Sequence, residues 1–208
     1  LADKFVIADD LQFSTRSQIN RTKIRTVEGW GWLTVPVLTK GRLLQKINDV
    51  QILKDDPWQR KHLRTIQANY KYAPFYEHYL NILTDIFKQE WDSLLSLNNE
   101  IILMLKEQLK ISTSLFYSSK IDRPKTGTEK VIQFVKHFDC DQYLITENEE
   151  QFIDKKQLSD NGINLIIKKY QFPNYYQQFK PFEKNMSVLD LLLNKGFGSK
   201  NIMMSGLV

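Results

Sequence analysis

The sequence contains little cysteine, glycine or proline, and it has no long hydrophobic run. Cys140 is the single cysteine among 208 residues, so no internal disulfide can form, and we expect a reducing, cytoplasmic location. The 8 glycines and 6 prolines are too few for a low-complexity linker. No apolar run approaches the roughly 18 residues that a membrane-spanning helix requires. The sequence therefore predicts neither a disulfide scaffold, nor a fibrous protein, nor a transmembrane segment.

Several common enzyme motifs are absent as well. The sequence has no GxxxxGKS/T, GxGxxG or HExxH segment and no cysteine pair. P-loop nucleotide hydrolysis, a standard dinucleotide fold, zincin chemistry and a cysteine-rich zinc site are therefore excluded. No metal-ligand set is predicted, and no cofactor can be named from the sequence.

The charge balance favours anionic partners. Lysine and arginine number 29 against 24 aspartates and glutamates, which gives a net charge of +5. A basic surface attracts phosphates, nucleotides, acidic glycans and nucleic acid without choosing between them. With 42% hydrophobic and 25% charged residues, the composition is that of a globular protein with a sizeable core.

The hydrophobic pattern predicts an α/β fold with a mostly parallel sheet, βαβ units and a central insertion of about three helices. The helical part covers about 57–110, with Asp56-Pro57 as its cap and first turn. Strands are predicted at 5–8, 30–37, 111–117, 141–145 and 162–168, and further helices at 127–138, 154–161 and 187–195. Strands and helices that alternate at this spacing are typical of parallel pairing. We expect residues 1–208 to form one domain.

Two carboxylates, Asp9 and Asp10, follow the first predicted strand and precede a basic segment. In open α/β sheets, ligands bind beyond the carboxyl ends of strands. Carboxylates there can bind sugar hydroxyls or a hydrated Mg²⁺, and cations can hold a phosphate. The candidate phosphate-binding residues of the segment are Arg16, Asn20, Arg21 and Lys23. The alternative is that the aspartates cap a turn and the cations lie on a solvated loop.

A second candidate site lies on the first predicted helix. Trp58, Lys61 and His62 are spaced to share one helix face. Histidine is the side chain best suited to proton transfer near neutral pH, and a neighbouring lysine could hold an anionic substrate. A structural histidine is the alternative interpretation.

A third candidate site is the aromatic segment at 170–182 together with the helix that follows it. Aromatic and amide side chains suit a sugar or a base, which stacks on the ring and accepts hydrogen bonds at its edge. The substrate-binding candidates here are Tyr175, Gln177 and Asp190. The alternative is a long loop that its aromatic residues fix to the core.

Taken together, these segments carry a family resemblance. The sequence contains, in order, FVIADDLQFSTRSQINRTKIRT, GWGWLTVPV, WQRKHLRTIQANYKYAPFY, QYLI, GINLIIKKYQFPNYYQ and FEKNMSVLDLLLNKG. This ordered set covers nearly the whole chain and resembles the WbqC-like proteins, which are bacterial proteins often encoded in O-antigen and other surface-polysaccharide gene clusters.

The sequence departs from the family pattern at two places. Family members usually begin with a His/Gln-Pro segment that ends in Pro-Trp-x-Gly-Tyr, and this segment does not precede Leu1. They also tend to carry a Ser-Gly-rich loop where this chain has Thr146-Glu-Asn-Glu-Glu-Gln151. Backbone amides of a glycine-rich loop can approach a phosphate, whereas three glutamates repel one. We therefore do not expect anion binding at residues 146–151.

The resemblance implies a transferase of surface-polysaccharide biosynthesis. It would take an anionic activated donor, such as a nucleotide-linked sugar or an activated acyl group, and a sugar acceptor. On this hypothesis His62 is the general base, and Asp10 orients the acceptor or a metal ion. The donor phosphate would be held by Arg16, Asn20, Arg21 and Lys61.

Two other functions stay open at this point. The absent opening segment and the glutamate-rich loop favour a non-catalytic interaction protein of a glycan-biosynthesis complex. Basic residues among aromatic ones would suit a nucleic-acid-binding module. Acids are nearly as common as bases, however, and no recognised nucleic-acid motif is present, so nucleic acid is the least favoured partner.

Overall fold

The computed structural model describes residues 1–42, 44–121 and 126–208, which form short strands and seven α-helices. The strands are β1 (Lys4–Ile7), β2 (Arg21–Thr26), β3 (Gly29–Thr34), β4 (Ser114–Tyr117), β5 (Gln142–Thr146) and β6 (Asn164–Lys168). The helices are α1 (Trp58–Tyr70), α2 (Tyr76–Phe87), α3 (Leu94–Gln108), α4 (Gly127–His137), α5 (Lys155–Asp160), α6 (Val188–Lys195) and α7 (Ser199–Ser205). Within these residues, no helix combines the length and hydrophobicity needed to cross a bilayer.

The strands of the described residues associate in pairs. β1 pairs with β4 and β5 pairs with β6, both in parallel, whereas β2 and β3 form an antiparallel hairpin. The mixed α/β class and the parallel pairing of short strands are confirmed. The expectation of one mostly parallel sheet is not met in the described residues, where each sheet has two strands. The two residues between β2 and β3 can only return the chain antiparallel.

Strand β2 lies in the basic segment that follows Asp9 and Asp10, where the sequence predicts no strand. Arg21, Lys23 and Arg25 alternate with Thr22 and Ile24, so the strand has a cationic face and a face with a fully buried isoleucine. The sequence of β2 does not show the alternation of apolar and polar residues that is typical of a strand, because Ile24 is its one strongly apolar residue. β3 ends at Thr34, three residues before the predicted end at 37, because the proline two residues further on has no N–H to donate to a strand ladder.

Two compact units divide the chain. The first unit comprises residues 1–8, 113–171 and 204–208, and the second unit comprises residues 9–112 and 172–203. A small core in the first unit is built on Val135, Leu158 and Ile163. The larger core lies in the second unit, where the hairpin, α1, α2, α3 and α6 contribute buried side chains. That residues 1–208 form one domain, and that α1–α3 are an insertion into a sheet, stay predictions.

Helix α1 shows how the sequence pattern produces the second unit. Its buried residues are Trp58, His62, Ile66 and Tyr70, and a spacing of four places them on one side of the helix. The expected cap at Asp56 is not formed, because Pro57 occupies the N-cap position without a side-chain hydrogen bond. The carboxylate of Asp56 instead accepts hydrogen bonds from Lys61 Nζ at 2.9 and 3.0 Å.

Candidate functional site

The three candidates of the aromatic segment and the following helix share one buried network in the second unit. Asp190 lies in the first turn of α6 and is 0% exposed. Its Oδ1 accepts a hydrogen bond from the hydroxyl of Tyr70 at 2.8 Å. Its Oδ2 accepts from the Tyr175 hydroxyl at 2.6 Å and from Gln177 Nε2 at 2.9 Å. The network therefore joins α1 and α6 to the part of the aromatic segment that contains Tyr175 and Gln177.

The network satisfies the carboxylate of Asp190. A buried carboxylate is stable only when hydrogen bonds replace its water, and the N-terminal turn of a helix adds a favourable dipole. Burial, with the carboxylate nearby, raises the pKa of Tyr70 above its usual range, so that this phenol stays a hydrogen-bond donor. The Tyr70 oxygen also accepts from the backbone N–H of Arg25 at 2.7 Å, which connects the network to β2.

Two polar side chains fix the loop between Gln177 and Glu183. Gln177 Nε2 donates to the Glu183 carbonyl at 3.0 Å, and Gln177 Oε1 accepts from the Glu183 N–H at 2.9 Å. The guanidinium of Arg25, which is 1% exposed, donates to the carbonyl oxygens of Thr26, Gly29 and Pro181. This geometry agrees with the alternative interpretation, a loop fixed to the core. That Tyr175, Gln177 and Asp190 bind substrate stays a prediction.

His62 is a buried histidine, 7% exposed. Its Nε2 lies 3.0 Å from the Thr34 carbonyl oxygen, and since a carbonyl only accepts, Nε2 carries a proton. The imidazole packs edge-to-face on Trp58 and Phe87. Desolvation lowers the pKa of His62, so the neutral ring predominates. A general-base role would then fall to Nδ1, and that role stays a prediction.

The remaining sequence candidates occupy different environments in the second unit. Asp9 is buried and Asp10 half-buried. Arg16 is exposed in the left-handed backbone region, with φ of 63°. Asn20 is buried and its Nδ2 donates to the Val35 carbonyl at 3.0 Å. Lys61, as described above, is paired with a neighbouring carboxylate.

Arg21 belongs to a cationic and aromatic surface on the hairpin. Its guanidinium carbon lies 4.1 Å from the ring centroid of Trp32, and Lys23 Nζ lies 4.2 Å from that of Trp30. Both distances are typical of cation–π pairs. Of the four candidate phosphate-binding residues of the basic segment, Arg21 and Lys23 are thus held over aromatic rings.

A cationic cleft, which is not among the sites predicted from the sequence, lies between α1 and the end of α2. Its volume is about 380 Å³. It is lined by Pro57, Gln59, Arg60, Leu63, Arg64, Gln67, Phe87 and Lys88. The sequence does contain a signal for the α1 side of the cleft. Arg60 and Arg64 are four residues apart in WQRKHLR and so share a helix face. The α2 side could not be found without knowing how the two helices pack.

The charges of the cationic cleft are poorly compensated. Like charges four residues apart on a helix repel, and no carboxylate of the described residues forms an ion pair with Arg60 or Arg64. Lys88 Nζ lies 3.7 Å from Asp85 Oδ1, but both side chains are exposed and such pairs contribute little. The cleft is therefore suited to an anion. The described residues contain no group of three or more His, Cys, Asp or Glu side chains placed to hold a metal ion.

Fold and site together define a mixed α/β protein with a buried polar network and a surface cleft suited to anions. The chain belongs to the WbqC-like protein family, whose match extends over residues 1–202, which confirms the resemblance found in the sequence. It is similar to the uncharacterized protein Rv1507c of Mycobacterium tuberculosis, with 31% identity over 196 residues that cover 93% of this chain and 84% of that protein. No solved structure matches the chain.

The first prediction concerns the buried network. In Asp190→Asn, an amide donor replaces one acceptor oxygen and faces groups that are themselves donors. We expect the free energy of unfolding to fall by about 3 kcal/mol or more. In Tyr175→Phe, which removes one of the three bonds, we expect a loss of about 1–2 kcal/mol. Urea unfolding at pH 7, followed by circular dichroism, measures both. The exposed Asp85→Asn change should stay within about 0.5 kcal/mol of wild type, and an equally small effect of Asp190→Asn would contradict the assignment.

The second prediction concerns His62 and pH. Its pKa is lowered in the folded protein, so the unfolded chain binds the proton first as pH falls. The stability that neutral His62 contributes is present above the ordinary pKa of about 6.5 and is lost as pH falls below it, by at most about 1.4 kcal/mol per pH unit. We expect His62→Gln, whose amide can donate to Thr34, to lose less stability than wild type between pH 7.5 and 5.5. His78→Gln, which replaces an exposed histidine of α2, is the control. Equal slopes in all three proteins would rule out the linkage.

Proposed function

We propose that this chain is a transferase of bacterial surface-polysaccharide biosynthesis, and that its cationic cleft binds the phosphate groups of an anionic activated donor. The observation that carries the proposal is the cleft itself, where Arg60, Arg64 and Lys88 line one concavity. The transferase activity and the pathway are what the family resemblance implies. The cleft supports the part of the proposal that concerns the donor.

The composition of the cleft suits a nucleotide-linked donor. Guanidinium groups bind phosphate oxygens in a bidentate manner, and a lysine adds a third positive charge. Leu63 and Phe87 supply apolar surface for a base or a sugar ring. The volume of about 380 Å³ lies within the range of small-molecule sites. Charge, shape and apolar lining therefore match a diphosphate with an organic substituent better than a lone inorganic ion.

Phe87 connects this cleft to the histidine that the sequence singled out. The Phe87 ring lines the cleft and packs against Trp58 and His62, at ring-centroid distances of 5.4 and 6.1 Å. We propose that His62 and Trp58 support the cleft wall from inside, and that any proton transfer by His62 uses Nδ1. The burial of His62 also favours the alternative, a protein that binds the ligand without transferring a group.

Donor binding is tested by calorimetric titration of the purified chain with UDP, GDP and inorganic diphosphate. We expect binding of at least one nucleoside diphosphate, and at least about tenfold weaker binding by Arg64→Gln, because a charge-assisted hydrogen bond is removed. Lys71→Gln is the matched control, since it removes one positive charge from an exposed position just beyond α1. The affinity of Lys71→Gln for the diphosphate should stay within about twofold of the wild-type affinity, apart from the small, salt-dependent change that the loss of any positive charge causes.

Two results would count against the proposal. If no diphosphate binds, or if Arg64→Gln binds as wild type does, the cleft is not the donor site. If a nucleotide sugar binds but no nucleoside diphosphate is released in the presence of any acceptor glycan, the non-catalytic interaction protein becomes the better description.

A further inference from the structure

We propose that the hairpin face, defined as Arg21, Lys23, Trp30 and Trp32, binds an acidic sugar residue of the acceptor. This inference rests on the proposed function, because it gives the chemical class of the acceptor and the surface that recognises it. The acidic sugar is a hexopyranose that carries a carboxylate.

The strand register places these four side chains on one face of the hairpin. Lys23 is opposite Trp32, Arg21 is opposite Thr34 and Trp30 is opposite Arg25, so these side chains lie on the same side of the hairpin. The other side of the hairpin packs into the core through Ile24, which is 0% exposed, and Leu33, which is 7% exposed. On the cationic and aromatic side, Arg25 is 1% exposed and covered, whereas Trp30 is 45% exposed. Arg21, Lys23 and Trp32 on this side are partly exposed.

The cations of the hairpin face are held by rings and not by carboxylates. Besides the two cation–π pairs already described, Lys23 Nζ lies 5.4 Å from the ring centroid of Trp32. Across the part of the chain that the structure describes, neither Arg21 nor Lys23 forms an ion pair with an acidic side chain. A ring positions a cation without neutralising its charge. Both groups therefore keep their attraction for an anionic ligand.

The ring geometry favours a sugar over a nucleic acid. The Trp30 and Trp32 rings are 5.6 Å apart at an angle of 81°, so they form a corner and do not present parallel faces. Successive bases of a single strand need faces on which they can stack one after another. A pyranose needs one indole face for its C–H groups, with a cation beside it for its carboxylate. Trp30 is 45% exposed and has Lys23 Nζ over its ring, so exposed indole surface and a cation occur together there.

The test is a titration of the full chain, by intrinsic tryptophan fluorescence and by calorimetry, with three probes. The probes are trigalacturonic acid, the neutral maltotriose and a ten-nucleotide oligothymidine. We expect the acidic trisaccharide to bind at least about tenfold more tightly than the neutral one. Trp30→Ala should weaken that binding about tenfold or more, and Lys23→Gln should remove most of the preference for the acidic probe.

The chain offers a matched control for these variants. Lys71 Nζ lies 4.7 Å from the ring centroid of Tyr72, and Tyr72 is 79% exposed. Tyr72→Ala therefore removes an exposed aromatic partner of a lysine elsewhere in the same unit, and it should leave sugar binding unchanged. Circular dichroism and melting curves show that each variant is folded before it is titrated.

Three outcomes would overturn the inference. The first is that the acidic trisaccharide does not bind, and the second is that Trp30→Ala binds it as tightly as wild type does. The third is that the oligothymidine binds more tightly than the acidic trisaccharide and that Trp30→Ala abolishes this binding. Failure here is distinguishable from failure of the proposed function, because Trp30→Ala leaves the cationic cleft intact and Arg64→Gln leaves the hairpin face intact. A protein that binds diphosphate but no acidic sugar keeps the donor site and loses this acceptor assignment.

Discussion

The buried carboxylate of Asp190 is the constraint on which the packing of the second unit depends. A fully buried carboxylate is tolerated only when hydrogen bonds replace the water that its oxygens have lost. Those donors come from Tyr70 on α1 and from Tyr175 and Gln177 on the segment before α6. None of these elements can shift without leaving the charge unsatisfied. A nonpolar core of the same volume would not require one particular arrangement of these elements.

The buried network also determines which residues α1 presents at the surface. Helix α1 has a buried side, which contains Tyr70 and His62, and a solvent side, which contributes Arg60 and Arg64 to the cleft. Because the Tyr70 hydroxyl is fixed between Asp190 and the Arg25 backbone, the rotation of α1 about its axis is fixed as well. The hairpin is held by the same tyrosine and by the hydrogen bond from His62 to Thr34. Both proposed binding surfaces thus lie on elements that buried polar contacts orient.

The sequence was informative wherever the determining signal is local. The helices α1 to α4 and α6 follow from apolar periodicity and from breaks such as Ala73-Pro74 and Gly196, and the clustering of Tyr175, Gln177 and Asp190 was visible as a candidate group. Tyr70 was not, because 120 residues separate it from Asp190. Arg25 has the same difficulty, since its burial depends on a carbonyl 156 residues away. The cleft needed Phe87 and Lys88 from α2, whose position follows from tertiary packing alone.

The glutamate-rich loop at 146–151 shows that the charges of a segment can be compensated locally, which a count of charged residues does not reveal. The glutamates at 147–150 are used within the first unit: Glu149 accepts from the backbone and hydroxyl of Thr146, while Glu147 pairs with Lys169 and Glu150 with Lys155. Their charges close a capping box and two local ion pairs, so this loop has a structural role that needs no ligand. Arg60 and Arg64 have no comparable partner among the described residues. Compensation of charge, and not the number of charges, therefore favours the cleft over the loop as the place where an anion binds.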